Sequence, residues 1–173
     1  GGGVNVYHPE TGRFERLFDP GISLLNRIIP LNAYIRDIVE DRHGKMWIAS
    51  HGTGIAVFDP EKRVSLLLDR EKAGLPSNNV LSLLEDSRGN IWAGTGGEGL
   101  ALFDPKTRKF ISYGVSEGLP SGIVNKVLED TQGRIWVSTN EGISFFDIHK
   151  KKFTNYTTHN GLQNNTFALG AGM

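Results

Sequence analysis

From Ile35 onward the chain alternates apolar and polar residues in short runs. Ile35 to Glu40, Met46 to Ser50, Ile55 to Phe58 and Arg63 to Leu68 are four such segments, rich in β-branched and aromatic side chains and bounded by Gly, Asp, Asn or Pro. Period 2 over so few residues marks half-buried strands, and the bounding residues are those of tight turns. No window long enough for a globular helix carries a 3.6 period. Asp41 and Gly44 bracket the first turn: an Asp carboxylate accepts from N–H groups just ahead of it, and Gly takes positive φ without steric cost. Pro60 follows the third run, where a missing N–H does little harm to a ladder.

The same phrase then recurs. Glu40-Asp41-Arg42-His43-Gly44-Lys45-Met46-Trp47, Glu85-Asp86-Ser87-Arg88-Gly89-Asn90-Ile91-Trp92 and Glu129-Asp130-Thr131-Gln132-Gly133-Arg134-Ile135-Trp136 share the pattern Glu-Asp-x-x-Gly-x-hydrophobic-Trp. Their Trp residues stand 45 and 44 residues apart. Downstream, Phe58-Asp59-Pro60 matches Phe103-Asp104-Pro105 and, without the Pro, Phe146-Asp147-Ile148. Gly74-Leu75-Pro76 matches Gly118-Leu119-Pro120 and, with one change, Gly161-Leu162-Gln163. The Gly-Leu-Pro element reads as a chain reversal, with Leu75, Leu119 and Leu162 plugged between units.

Four antiparallel strands in a 44–45-residue tandem repeat make one propeller blade per repeat. A lone blade exposes two apolar faces; stacking blades buries both. The recurring Trp has the size to fill that contact, and burying each ring is worth about 3 kcal/mol. The Trp residues are thus expected in the core, not in a ligand site. The chain divides into 1–33 (a partial blade with its outer strands Gly3 to Pro9 and Arg13 to Phe18, then a connection), blades at 34–79, 80–123 and 124–165, and 166–173 as the first strand of a further blade. The expected fold is all-β, an incomplete arc of a larger propeller. Propellers have about four to eight blades, so remaining blades of the same or another chain are expected partners.

Composition narrows the classes. Lys and Arg total 19 against 19 Asp and Glu, without the cationic surplus that nucleic acid or an anionic membrane surface requires. No apolar run is long enough to span a bilayer, so this segment is expected to touch neither. The absence of Cys removes disulfides, thiol catalysis and Cys-ligated zinc. The five His (8, 43, 51, 149 and 159) share no repeat position and show no metal-ligand spacing, so neither a metal nor another cofactor is expected.

In its repeated motif, strand–Glu-Asp-x-x-Gly-x-hydrophobic-Trp, then Phe-Asp-Pro and Gly-Leu-Pro-Ser-Asn (74–78), the chain resembles the two-component regulator propeller family. The resemblance spans essentially all of it, and Asn164-Asn165-Thr166-Phe167 is similar to the last blade before the β-sandwich of such sensors. It implies a non-enzymatic segment of the periplasmic sensor of a hybrid two-component histidine kinase, from a seven-bladed propeller. It further implies an oligosaccharide ligand, a homodimer, and signalling by dimer rearrangement to a cytoplasmic kinase.

In a propeller, the loops after the second strand and those between blades share one face. That face collects His51, Thr53, Glu98, Asn140 and Glu141 from the former, and Ser77, Asn78, Asn79, Ser121, Asn164 and Asn165 from the latter. Amides, hydroxyls and carboxylates suit sugar hydroxyls, which both donate and accept. The candidate ligand-binding set is His51, Asn78, Asn79, Glu98, Ser121, Asn140, Glu141, Asn164 and Asn165; the plainer reading is that they serve the turns. The opposite face carries Lys62-Arg63, Lys106 to Lys109 and His149 to Lys152, read as solvated hairpin tips that discourage edge pairing. The Asp-x-x-Gly-x-x-Trp turn resembles the Asp-box of sialidases, with the Asp one residue further from the Gly and the Ser missing. A propeller enzyme would need Glu98 with Glu141 as a hydrolytic pair, or His51 with Glu98 as a lyase dyad. A protein-interaction scaffold is the remaining alternative.

Overall fold

The computed structural model describes residues 4–16 and 33–168. β3 (Ile35–Glu40), β4 (Met46–Ser50), β5 (Gly54–Asp59) and β6 (Val64–Leu68) form an antiparallel sheet in chain order. β7 (Val80–Glu85), β8 (Ile91–Thr95), β9 (Leu100–Asp104) and β10 (Lys109–Tyr113) form the second, and β11 (Val124–Glu129), β12 (Ile135–Thr139), β13 (Gly142–Asp147) and β14 (Lys152–Tyr156) the third. Before them, β1 (Asn5–His8) pairs with β2 (Arg13–Arg16). The fold is all-β: three four-stranded propeller blades and a two-stranded part of another, in an incomplete arc. Residues 17–32 and 169–173, including the ends of the expected outer strand and of the expected further strand, lie outside the described residues; Thr166, Phe167 and Ala168 belong to no strand.

The recurrent Asp explains why the first hairpin of every blade forms. In blade one, Asp41 Oδ1 accepts from the N–H groups of His43 and Lys45 at 2.9 Å, while Oδ2 accepts from the Trp47 indole at 2.8 Å. Asp86 does the same for Arg88, Asn90 and Trp92, and Asp130 for Gln132, Arg134 and Trp136. Gly44, Gly89 and Gly133 stand at φ +74°, +86° and +73°, the left-handed backbone the turn demands. One carboxylate therefore caps the turn and orients the ring that will face the next blade.

Stacking is carried by two seams. Trp47, Ala49, Ile55 and Leu68 of blade one pack on Leu83, Ile91, Ala93, Ala101 and Phe110 of blade two, and Phe103 meets Trp47 edge-on at 5.1 Å. Trp92, Leu100 and Tyr113 of blade two pack on Val127, Ile135, Val137 and Phe146, with Phe146 edge-on to Trp92 at 5.8 Å. Gly94 belongs in that second seam because a Cβ there would lie 2.8 Å from Val124 Cγ1 and 2.9 Å from its carbonyl. Val4 and Ala33 cover Ile48 and Ala56 on the other side of blade one.

Polar clamps close the seams at both edges. Glu85 reaches back to blade one, accepting from the Arg42 N–H at 2.9 Å and its guanidinium at 2.7 Å. Glu129 accepts from the Ser87 N–H and hydroxyl, both at 2.7 Å. Near the axis the inner strands each carry a register shift, between Ile35 and Asp37, Val80 and Ser82, and Val124 and Lys126. There Asp37 accepts from the Leu83 N–H and Ser82 from the Val127 N–H. Lys126 of blade three reaches Asp37 of blade one at 3.4 Å, so the inner strands converge around a common axis.

The connections contain single helical turns: α1 (Arg70–Ala73), capped by Asp69, and 3-10 turns at Val115–Glu117 and Thr158–Asn160. Four or three residues leave no helical period for a sequence window to detect. Each ends on a left-handed Gly, at 74, 118 and 161, after which Leu75 and Leu119 enter the seams, fully buried. Leu162, with no seam beyond it among the described residues, is half-buried.

Candidate ligand-binding face

Backbone bonds bring the loops after the second strands and the interblade connections to one face. Asn78 O accepts from the N–H groups of Gly52 and Gly54 at 3.0 and 2.9 Å, Gly122 O from Gly99 at 2.8 Å, and Asn165 O from Gly142 at 2.6 Å. These are equivalent locks in successive repeats, and they satisfy the loop N–H groups by tying each loop to the connection that follows its blade.

Most of the amide and hydroxyl candidates also hold their own turns. Asn78 Oδ1 accepts from the Arg70 N–H at 2.8 Å, and Asn165 Oδ1 from Thr158 at 2.7 Å. Ser121 Oγ and Asn164 Oδ1 each accept from the N–H two residues ahead at 3.2 Å. Asn140 Oδ1 accepts from the Asn125 amide, which is 4% exposed and also donates to the Phe167 carbonyl. Asn79 gives its carbonyl to Gly96, while its buried Oδ1 has no hydrogen-bond partner. His51 and Glu141 are exposed at their loop tips. Glu98 is exposed and forms an ion pair with Arg70 at 3.0 Å.

Of the candidates, Glu98 alone lines a shallow cleft of about 400 Å³, with Gly97, Ser112, Ser116, Glu117 and Gly122 among the other lining residues. This volume lies at the lower end of small-ligand sites, about 300–1,000 Å³. The carboxylate beside Glu98 there is Glu117, not Glu141. Glu117 accepts from the Gly114 N–H at 2.6 Å and from the Ser116 hydroxyl. Those bonds hold its carboxyl below the usual range against a small opposing effect of burial, so it stays charged and is unsuited to general-acid work. Among the described residues no three or more His, Asp or Glu side chains converge as a metal site would need.

Arg70, Ser112, Ser116, Glu117 and Asn125 were not among the residues the sequence singled out. Asp69 gave a readable signal for Arg70, since an Asp ahead of a short turn is a helix cap and Asp69 does accept from the Lys72 N–H at 2.7 Å. Asn125 sits in an inner strand, where alternation alone says nothing of an amide's partners.

Fold and face together define an arc of β-propeller presenting a polar loop surface. The two component regulator propeller model matches at residues 29–52, 74–97 and 118–141, once per repeat, so the chain carries three repeats of the two component regulator propeller type. Among solved structures it is similar to the extracellular domain of the hybrid two component system BT3049 from B. thetaiotaomicron, at 25% identity and TM-score 0.77, over 94% of this chain and 21% of that one. The extracellular domain of BT4673 from the same organism matches at 21% identity and TM-score 0.71, over 90% and 22%. Virginiamycin B lyase from Staphylococcus aureus shares the fold at 14% identity and TM-score 0.63, over 88% and 47%. The chain thus spans about a fifth of the length of these two extracellular domains. No curated protein matches it.

Proposed function

We propose that this chain is a segment of the extracytoplasmic ligand-sensing propeller of a hybrid two-component sensor and that it binds a glycan-derived ligand. The observation that carries the reading is the 25% identity, over 94% of the chain, to the extracellular domain of such a system. The cleft beside Glu98 supports a hydroxyl-rich ligand, because Ser112, Ser116 and two carboxylates line it and offer donors and acceptors in close array. The locked loops supply pre-organisation, which lowers the ordering cost of binding. Signalling would pass to a kinase through ligand affinity that differs between two arrangements of a dimer, with the blades moving as rigid bodies. The segment itself is not an enzyme in this reading.

Isothermal calorimetry against a panel of plant and host oligosaccharides, with chromatography of the sugar afterwards, tests this directly. Saturable binding of an intact sugar, weakened at least about tenfold by Glu98→Gln, is the expected result. Release of shorter sugars, abolished by that substitution, would instead establish a propeller enzyme. Absence of any saturable binding would overturn the ligand assignment.

A further inference from the structure

The turns joining the first strand to the second and the third to the fourth lie at the end of each blade opposite the Glu98 loops. Where blades one and two meet at that end, a cleft of about 400 Å³ opens at the outer part of their seam. Lys45 enters it from the first turn of blade one, Lys62 from the turn between β5 and β6, and Arg108 from the matching turn of blade two. Val57 pairs with Trp47 on one side and with Leu66 on the other, so all three side chains point toward blade two. Both blades are complete in the described residues, and a further blade at either end of the arc would stack on other faces.

Three cations stand there against one carboxylate, and that carboxylate is engaged. Asp59 Oδ1 accepts from the Lys62 N–H at 3.0 Å, and Oδ2 lies 3.6 Å from the Lys62 ammonium. The Lys62 N–H bond, with the Lys62 and Lys45 charges behind it, holds the Asp59 carboxyl below its usual range against burial. Both ammonium groups therefore act on the same small volume. Among the described residues, neither the Lys45 ammonium nor the Arg108 guanidinium has a hydrogen-bond or ion-pair partner. The equivalent corner of the second seam is built differently. Asn90 stands in the place of Lys45 and gives its amide to Asp86 at 2.8 Å, and Thr107 stands in the place of Lys62 and gives its hydroxyl to Asp104 at 2.8 Å. Two of the three cations are thus replaced by neutral side chains that are already bonded.

We infer that this corner of the first seam is a second binding site, which takes the oxyanion of an acidic sugar unit. A carboxylate, sulfate or phosphate group would sit between Lys45 and Arg108, with the C–H face of the ring on Val57 and Leu66. A concave site lined by one sign of charge concentrates its field. The guanidinium fork fits two oxygens of such a group, and an ammonium adds a point charge beside them. The volume lies within the range of small-ligand sites, about 300–1,000 Å³. Three cations converging on one corner fit a single anionic group and not the track of a polymer. The site lies at the opposite end of the blades from Glu98 and is independent of the reading built on that cleft.

Titrating glucuronate, glucose 6-sulfate and glucose 6-phosphate into the isotope-labelled chain, followed by amide NMR shifts, tests this, with glucose as the neutral control. At least one acid should give saturable shifts at Lys45, Val57, Leu66 and Arg108, and the tightest of the three identifies the anionic group. Lys45→Gln with Arg108→Gln should weaken that acid at least about tenfold. Lys106→Gln with Lys151→Gln removes the same charge from turns outside the cleft and should change the affinity by less than about twofold. All four substitutions leave the backbone bonds of their turns in place, so amide shifts away from the cleft report that the fold is kept. Glu98→Gln should leave this binding unaltered, which separates it from the loop face. Glucose binding as well as the acids, equal weakening by the two double variants, or no saturable shift with any acid overturns the proposal.

Discussion

Trp92 and Trp136 occupy the same position of the same repeat, and each donates its indole N–H to an Asp six residues earlier, at 2.9 and 2.8 Å. Only their second neighbours differ. Trp92 is fully buried under Phe146 of the next blade, whereas Trp136 is half-buried and covered by Arg134 of its own hairpin. The hairpin therefore places the ring without help from stacking, and stacking supplies the burial. Local order and interblade stability are separate contributions in this molecule, and the pair of Trp residues reads them independently.

The largest expected contrast is in the rings themselves. Trp92→Ala should destabilise by about 3–5 kcal/mol in urea titrations, and Trp136→Ala by less than half of that; equal losses would mean that the open face is as well packed as the seam. Next come the carboxylates. Burial alone would raise the Asp41, Asp86 and Asp130 carboxyls, but bonds from the indole and from turn N–H groups outweigh it and hold all three below the usual range. A lowered native value contributes stability that is complete above the unfolded value of about 3.9 and is lost as pH falls toward the native one. Unfolding followed between pH 7 and pH 3 should show that loss, and Asp86→Ala should cost about 1–3 kcal/mol at neutral pH and flatten the acid limb.

Smaller effects separate the clamps from the hairpins. Glu129→Ala should cost about 1 kcal/mol more than Glu40→Ala, because Glu129 holds the Ser87 N–H and hydroxyl while Glu40 is exposed. The smallest effect should be independent of seams altogether. Arg63, Arg108 and Lys151 take φ of +51°, +57° and +53° in the turn between the third and fourth strands of their blades, where the two-stranded ladder has Gly12 at +66°. Replacing any of the three with Gly should stabilise by up to about 1 kcal/mol, by the same amount in blade three as in blade two.

The contrast also marks how far the sequence could be read. The strands were legible because the alternation, the Asp-x-x-Gly turn and the Trp spacing are local signals that agree with one another. Even the face shared by Asn78, Glu98 and Asn165 followed, since strand count alone assigns loops to ends. The indole–carboxylate bond did not follow: Asp41 and Trp47 are both explicable separately, as a turn former and a core ring. Nor could Glu98 be tied to Arg70 and Glu117, because those neighbours come from helical turns too short to leave a period. The left-handed Arg63, Arg108 and Lys151 were likewise hidden, since their side chains announce a solvated tip and say nothing of φ.

Stacking as the source of burial can be tested most directly on the three indole N–H protons, each visible by NMR and each bonded to an Asp. Their hydrogen exchange, measured at a concentration where the chain is monomeric, should be slowest for Trp92, which opens only with the whole array, and fastest for Trp136. Exchange of Trp136 as slow as that of Trp92 would show that blades hold their rings without a neighbour, and the division between hairpin and seam would fall.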